Sequence, residues 1–311
     1  MSDIQNLIDR LENEIRNKAT PEKDDASALK RLEEIAKTYE GEDRVVSTTE
    51  LLLKLKNSPP EAIYKTGLTD LDKILGGGFR KKQLVVLSGV TKHGKTSFAI
   101  DLTIRLAENN PLWFPFEESA EEILQKFLDR GKEPPIFYVP ERITKRTLEW
   151  IEHKIIEAKA KFDSKIVFID HLGFVQDNES GHYDETMSLK IERIMRTLRS
   201  YAVRWNITIV LLAHLTKTRL DTNPTLEDLK GSSAIAQEAD TVLLLWRRTK
   251  RGKDGRIEIT NEANLSIQAN RRTGKTGNIQ LVFSEGRFLE KVWDESQQME
   301  EDTNEIWTGL G

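Results

Sequence analysis

Cysteine is absent from the 311 residues. Disulfides, thiolate zinc sites and iron–sulfur clusters are therefore excluded, and a reducing intracellular setting is expected. Long apolar runs are missing as well. The longest, residues 207–213 around one threonine, is far too short to span a bilayer, so no membrane contact is expected. Residues 1–14 are charged and lack a secretory apolar core. Nor is there an excess of positive charge: 47 Lys and Arg against 51 Asp and Glu give a net charge of −4. Any nucleic-acid site must then be a local groove or channel rather than a global basic field.

What is present is a hydrophobic fraction of 38%, enough for a core, and a charged fraction of 32%, which predicts long solvated helices. Ile4, Ile8, Leu11 and Ile15 fall on one helical face, and Leu29, Leu32, Ala36 and Tyr39 on another. They predict a helical hairpin over residues 1–40 for oligomerisation or docking. A linker, 41–63, holds a short helix that opens on Ser47-Thr48-Thr49-Glu50, carries Leu51, Leu52, Leu53 and Leu55, and stops at Pro59-Pro60. Over 64–292 apolar strands alternate with helices: 84–87, 112–116, 136–139, 166–169, 207–212 and 241–246, with a helix over 147–162. Near-continuous apolar strands are buried on both faces, which gives an α/β fold with a mostly parallel sheet flanked by helices. Segments 264–269 and 280–283, joined by a turn at 273–277, close one edge antiparallel. An acidic tail, 293–311, follows.

After the strand Leu84-Val85-Val86-Leu87 comes Gly89-Val90-Thr91-Lys92-His93-Gly94-Lys95-Thr96, then Ser97 and a helical continuation. This is the G-x-x-x-x-G-K-[ST] phosphate loop in its required strand-to-helix context. Its N–H groups and the helix N-terminus surround an anion. Lys95 reaches the β- and γ-phosphates, and the Thr96 hydroxyl holds Mg²⁺. A guanine-reading N-K-x-D is missing: Asn17-Lys18-Ala19-Thr20 lacks the aspartate and precedes the loop, so ATP is expected. Asp170 ends the strand 166–169, where a doubly wound sheet presents a Mg²⁺-side carboxylate. Glu117 and Glu118 follow another strand, and alternation sends them to opposite sides; the residues alone leave both open as the water-activating base. His214 ends the strand 207–213, in position to touch a γ-phosphate, whereas His93 reads as a solvated loop residue. His153, His171 and His182 show no metal-ligand spacing. Arg271 and Arg272 precede a glycine turn and suit transition-state charge on a phosphate. Lys230-Gly231-Ser232-Ser233 suits a sugar–phosphate backbone.

Thr66-Gly67-Leu68-Thr69-Asp70-Leu71-Asp72 and Leu75-Gly76-Gly77-Gly78-Phe79, leading into the phosphate loop, resemble the start of RecA-type ATPase domains. More narrowly, they resemble the DnaB/Twinkle group of hexameric replicative helicases. Phe114-Pro115-Phe116-Glu117-Glu118-Ser119-Ala120-Glu121 resembles the segment carrying that family's catalytic glutamate, and the match falls on Glu117. Phe168-Ile169-Asp170-His171-Leu172 resembles its Walker B strand. Leu211-Leu212-Ala213-His214-Leu215 resembles its phosphate sensor, with histidine as in phage primase-helicases. Residues 226–240, with Lys230, Gly231, Ser232 and Ser233, are similar to its DNA loop, and 270–277 to its arginine-finger segment. Arg271 or Arg272 is the finger, depending on the member aligned. The resemblance implies ATP bound between subunits of a hexameric ring, single-stranded DNA in a central channel, and a bacterial or phage-infected cytoplasm. It also implies a primase or loader as partner of the hairpin or the tail. The chain departs from the family in its short N-terminal region and in an acidic 176–186 loop (Asp177, Glu179, Asp184, Glu185), which disfavours strong DNA binding. The readings set against a helicase are a RecA/RadA-like recombinase or mediator and a KaiC-like regulatory ATPase.

Overall fold

The computed structural model describes residues 45–130, 133–177, 186–215, 223–229, 232–252 and 256–291. The expected N-terminal hairpin, most of the acidic loop and the acidic tail lie outside these residues. The chain divides into two compact units, 1–60 and 61–311. In the first, helix α1 (Thr48–Asn57) starts as expected, with the Ser47 hydroxyl accepting from the Glu50 N–H, and its leucines 51, 52, 53 and 55 are largely exposed. Among the described residues no helix is long and apolar enough to cross a membrane.

The second unit contains a small sheet, β1 (Ile63–Tyr64) with β2 (Phe79–Arg80), around α2 (Thr69–Leu75). The remaining elements are β3 (Gln83–Gly89), α3 (Lys95–Arg105), β4 (Leu112–Pro115), α4 (Ala120–Leu128), α5 (Leu148–Phe162), β5 (Ile166–Asp170), α6 (Met187–Arg204), β6 (Thr208–His214) and α7 (Ser232–Glu238). Four strands complete the unit: β7 (Thr241–Arg251), β8 (Ile257–Asn270), β9 (Gly277–Ser284) and β10 (Arg287–Glu290). The sheet has eight strands in the order β10-β9-β8-β7-β3-β6-β5-β4. From β7 to β4 all neighbours are parallel; β8, β9 and β10 are antiparallel.

Strand alternation divides the core into two apolar layers. Leu84 and Val86 face a cluster with Ile151 and Ile155 of α5, Ile194 and Leu198 of α6, and Ile235 of α7. Val85 and Leu87 face the other, with Leu71 and Leu75 of α2, Phe98 and Leu102 of α3, and Ile123 and Phe127 of α4. Each such side chain contributes roughly 1.5–3 kcal/mol of burial.

Two expectations change. Residues 136–139 are not a strand: Tyr138 makes a single parallel bridge to Leu112, with Trp113 N donating to Tyr138 O and Tyr138 N to Pro111 O. Pro134, Pro135 and Pro140 surround the segment and remove the donors and the freedom a longer ladder needs. In contrast, β7 and β8 run well past their apolar cores as a polar ribbon, paired out to Arg251 and Ile257.

Candidate active site

The phosphate loop connects β3 to the first turn of α3. Gly94 has φ 97°, a left-handed conformation that glycine adopts freely, and a Cβ there would lie 2.9 Å from the Phe288 ring. Val90, Thr91 and Lys92 carry the loop outward. Lys95 is buried, and its ammonium donates to the carbonyls of Gly89 (3.1 Å) and Val90 (3.4 Å). Burial pulls that ammonium below the ordinary lysine range, while Asp170 and Glu117 pull the other way. Ser97, in the same first turn, offers its carbonyl to Arg130 at 2.9 Å. The solvated role expected of His93 is corrected: the ring is buried, and its Nδ1 accepts the Arg247 N–H at 2.9 Å, tying the loop to β7.

Thr96 and Asp170, distant in sequence, meet because β5 ends beside the loop. The Thr96 hydroxyl donates to Asp170 Oδ2 at 2.9 Å. Asp170 is 3% exposed, and burial pushes its carboxyl up to about 6, against the opposing Thr96 hydrogen bond. The N–H groups of Phe116 (2.8 Å) and Glu117 (3.1 Å) both donate to the Asp170 carbonyl, so the segment after β4 is held against the end of β5. There the two glutamates part. Both carboxylate oxygens of Glu118 accept from Lys126 of α4. Glu117 instead points between two imidazoles: its Oε2 is 3.8 Å from His171 Nε2 and 3.7 Å from His214 Nε2. The two rings are 4.1 Å apart at 80°. Burial, then His214 and Lys95, pushes His171 down to about 4, and burial also lowers His214.

Glu117, His171 and His214 place their ligand atoms within 4.8 Å of one another, a spacing a transition metal could close. Hydrogen bonding argues against it. His171 Nδ1 accepts the Gly173 N–H at 3.0 Å, so the proton of the neutral ring sits on Nε2, the nitrogen facing Glu117. That nitrogen is a donor, not a ligand.

Arg271 and Arg272 are not near this loop. Asn270 lies opposite Thr241, and Thr241 opposite Val85, whereas Gly89 lies opposite Leu245. Four residues of strand, about 13 Å, separate the two edges. The Arg271 N–H donates to Asp240 O on the far edge. Arg272 is paired with Glu61 at 3.1 Å, which also holds Arg80 at 3.1 Å. Lys230 and Gly231 lie outside the described residues; Ser232 and Ser233 open α7. Sequence reasoning missed His171 as a neighbour of Glu117, although it directly follows Asp170. It also missed the Arg247 guanidinium, 4.4 Å over the Phe283 ring at the loop's flank, for which no local pattern exists.

A glycine loop after a central parallel strand, an oxygen pair from Thr96 and Asp170, and a carboxylate on the next strand end define a phosphate-loop protein of the RecA-like α/β class. The chain belongs to the DnaB-like helicase C-terminal domain family, whose model matches residues 64–135 and 132–289. It is 26% identical over 293 residues to the replicative DNA helicase DnaB of Geobacillus stearothermophilus, covering 82% of this chain and 63% of that protein. It is 27% identical over 275 residues to a probable replicative DNA helicase of Trieres chinensis, covering 75% and 58%. A solved DnaB-like replicative helicase, studied with its primase interactions, superposes with a TM-score of 0.65 at 20% identity over 85% of this chain and 70% of that one. The chain thus spans about three fifths of the curated relatives it matches.

Proposed function

We propose that this chain is the motor portion of a ring-forming, ATP-dependent helicase that translocates on single-stranded DNA in replication. Thr96 Oγ1 and Asp170 Oδ2 are adjacent hard oxygen donors, the chemistry Mg²⁺ selects. Bound there, Mg²⁺ would offset charge on the β- and γ-phosphates beside Lys95. Glu117 orients the attacking water and takes its proton, and His214 contacts the γ-phosphate and registers its loss. The phosphates themselves rest on the backbone of Gly89, Val90, Thr91, Lys92, His93, Gly94 and Ser97. Lys230, Gly231, Ser232 and Ser233 contact the DNA backbone, and residues 1–40 or the tail receive a primase or loader.

One observation carries the ring. The arginines suited to transition-state charge lie at the opposite end of the strands from their own loop, which supports a finger supplied by a second copy. Of the two, Arg271 is the better finger: both are exposed, but Arg272 is held by Glu61. Mixing Lys95→Ala with Arg271→Ala subunits should restore part of the ATPase that each lacks alone, because some interfaces then combine an intact loop with an intact finger. No recovery would overturn shared sites. Single-stranded DNA should raise the ATPase rate. A rate indifferent to it would favour the regulatory-ATPase reading, which the net charge of −4 supports.

A further inference from the structure

Glu117 has two imidazole neighbours at nearly equal distance, and they differ in one bond. His171 is extended (φ −136°, ψ 176°), and its Nδ1 accepts the N–H of Gly173, closing the single 3₁₀ turn of residues 172–174. The ring is packed on two further sides, with the Phe174 ring at 4.7 Å and the His214 ring at 4.1 Å. Only glycine admits it: a Cβ on residue 173 would lie 2.6 Å from His171 Cε1 and 3.1 Å from Nδ1. With Nδ1 engaged as an acceptor, Nε2 carries the hydrogen and is aimed at Glu117 Oε2, 3.8 Å away. That gap is too long for a direct bond and suits either one bridging water or about 1 Å of closure on substrate binding. His214 differs: its Nδ1 is buried with no partner, and its tautomer is biased only from the Nε2 side, where Glu117 Oε2 lies 3.7 Å away and opposes the lowering of its pKa by burial.

We infer that His171 is a positioning residue, whose fixed Nε2–H holds the Glu117 carboxylate toward the attacking water. His214 is thereby left free to exchange its Nε2 between Glu117 and the γ-phosphate. The inference rests on Glu117 being the base proposed above, and both can fail separately.

The test compares kcat, KM and the affinity for a fluorescent ATP analogue across His171→Ala, His171→Gln, His171→Asn and Gly173→Ala, with and without Glu117→Gln. His171→Ala should lower kcat by roughly ten- to a hundredfold, within the range of a misplaced base, with KM and analogue affinity changed less than about threefold. Glutamine places an N–H where Nε2 stood and should recover most of kcat. Asparagine reproduces only the Nδ1 acceptor and should stay as low as alanine. Gly173→Ala should lower kcat although both His171 and Glu117 remain. In the Glu117→Gln background His171→Ala should add nothing. A merely structural cap predicts the reverse order, asparagine active and glutamine impaired, and that result would overturn the inference. So would an unchanged kcat in His171→Ala, or a further loss on top of Glu117→Gln. If Glu117→Gln itself keeps its turnover, the base assignment fails instead.

Discussion

Lys126 donates to both oxygens of Glu118 and leaves Glu117 turned toward His171 and His214, so one lysine on the next helix decides between two adjacent carboxylates. Glu117→Gln is expected to cut turnover by about 10²–10⁴ while analogue binding persists, and Glu118→Gln by no more than a few-fold; steady-state ATPase beside analogue titration checks both. The residues alone left that choice open, because alternation separates two side chains without saying which meets a partner; only the family resemblance pointed to Glu117. Asp170, in contrast, was legible from its place at a strand end, yet not the cost of its burial. Its carboxyl stands at about 6 against an ordinary 3.8, so the fold binds this proton more tightly than the unfolded chain does. Stability from this group therefore falls as pH rises. Above pH 6 the buried charge is carried at full cost, about 3 kcal/mol, and that cost fades as pH drops toward 4. In chelator and without nucleotide, Asp170→Asn should melt higher than wild type at pH 7.5, and the two should converge near pH 4.

Helix α4 connects the residues beside Glu117 to the helix of the phosphate loop. Ser119 and Glu122 cap its start reciprocally. Just past its end, Arg130 donates to Asp101 of α3 at 2.8 Å and to the Ser97 carbonyl, with both charged side chains 5% exposed. Burial raises the Asp101 carboxyl, so removing its partner strands an acid in the core. Arg130→Ala should cost about 3–5 kcal/mol, measured as a lower urea midpoint at unchanged slope. None of this was legible beforehand, because Asp101 and Arg130 meet only through packing. The helix expected over 147–162 was legible from its apolar spacing, and it forms over Leu148–Phe162 with Thr147 as its cap. The outer ends of β7 and β8 were not: Arg247 to Arg251 and Ile257 to Glu262 lie beyond the apolar strands 241–246 and 264–269, and they form strand because each pairs with the other.

For the whole molecule, the order of motifs along the chain fixed the RecA-like core, while the strand register placed the arginines away from their own loop. With a non-hydrolysable ATP analogue, mass measurement should show a hexamer, and Arg271→Ala should weaken its assembly or its ATPase without loss of analogue binding by the subunit. A single hydrogen-bonded strand, β8, ends at Asn270, one residue before Arg271, after running alongside β7, which borders the phosphate loop. Under the proposed sharing of sites, every protomer supplies a residue to the site of the next, and a doubly defective protomer (Lys95→Ala with Arg271→Ala) silences two sites rather than one. In a random mixture a working site needs two sound neighbours. Doping with half defective protomers should then leave about a quarter of the ATPase, not half, so such a variant would act dominantly over the wild type sharing its ring.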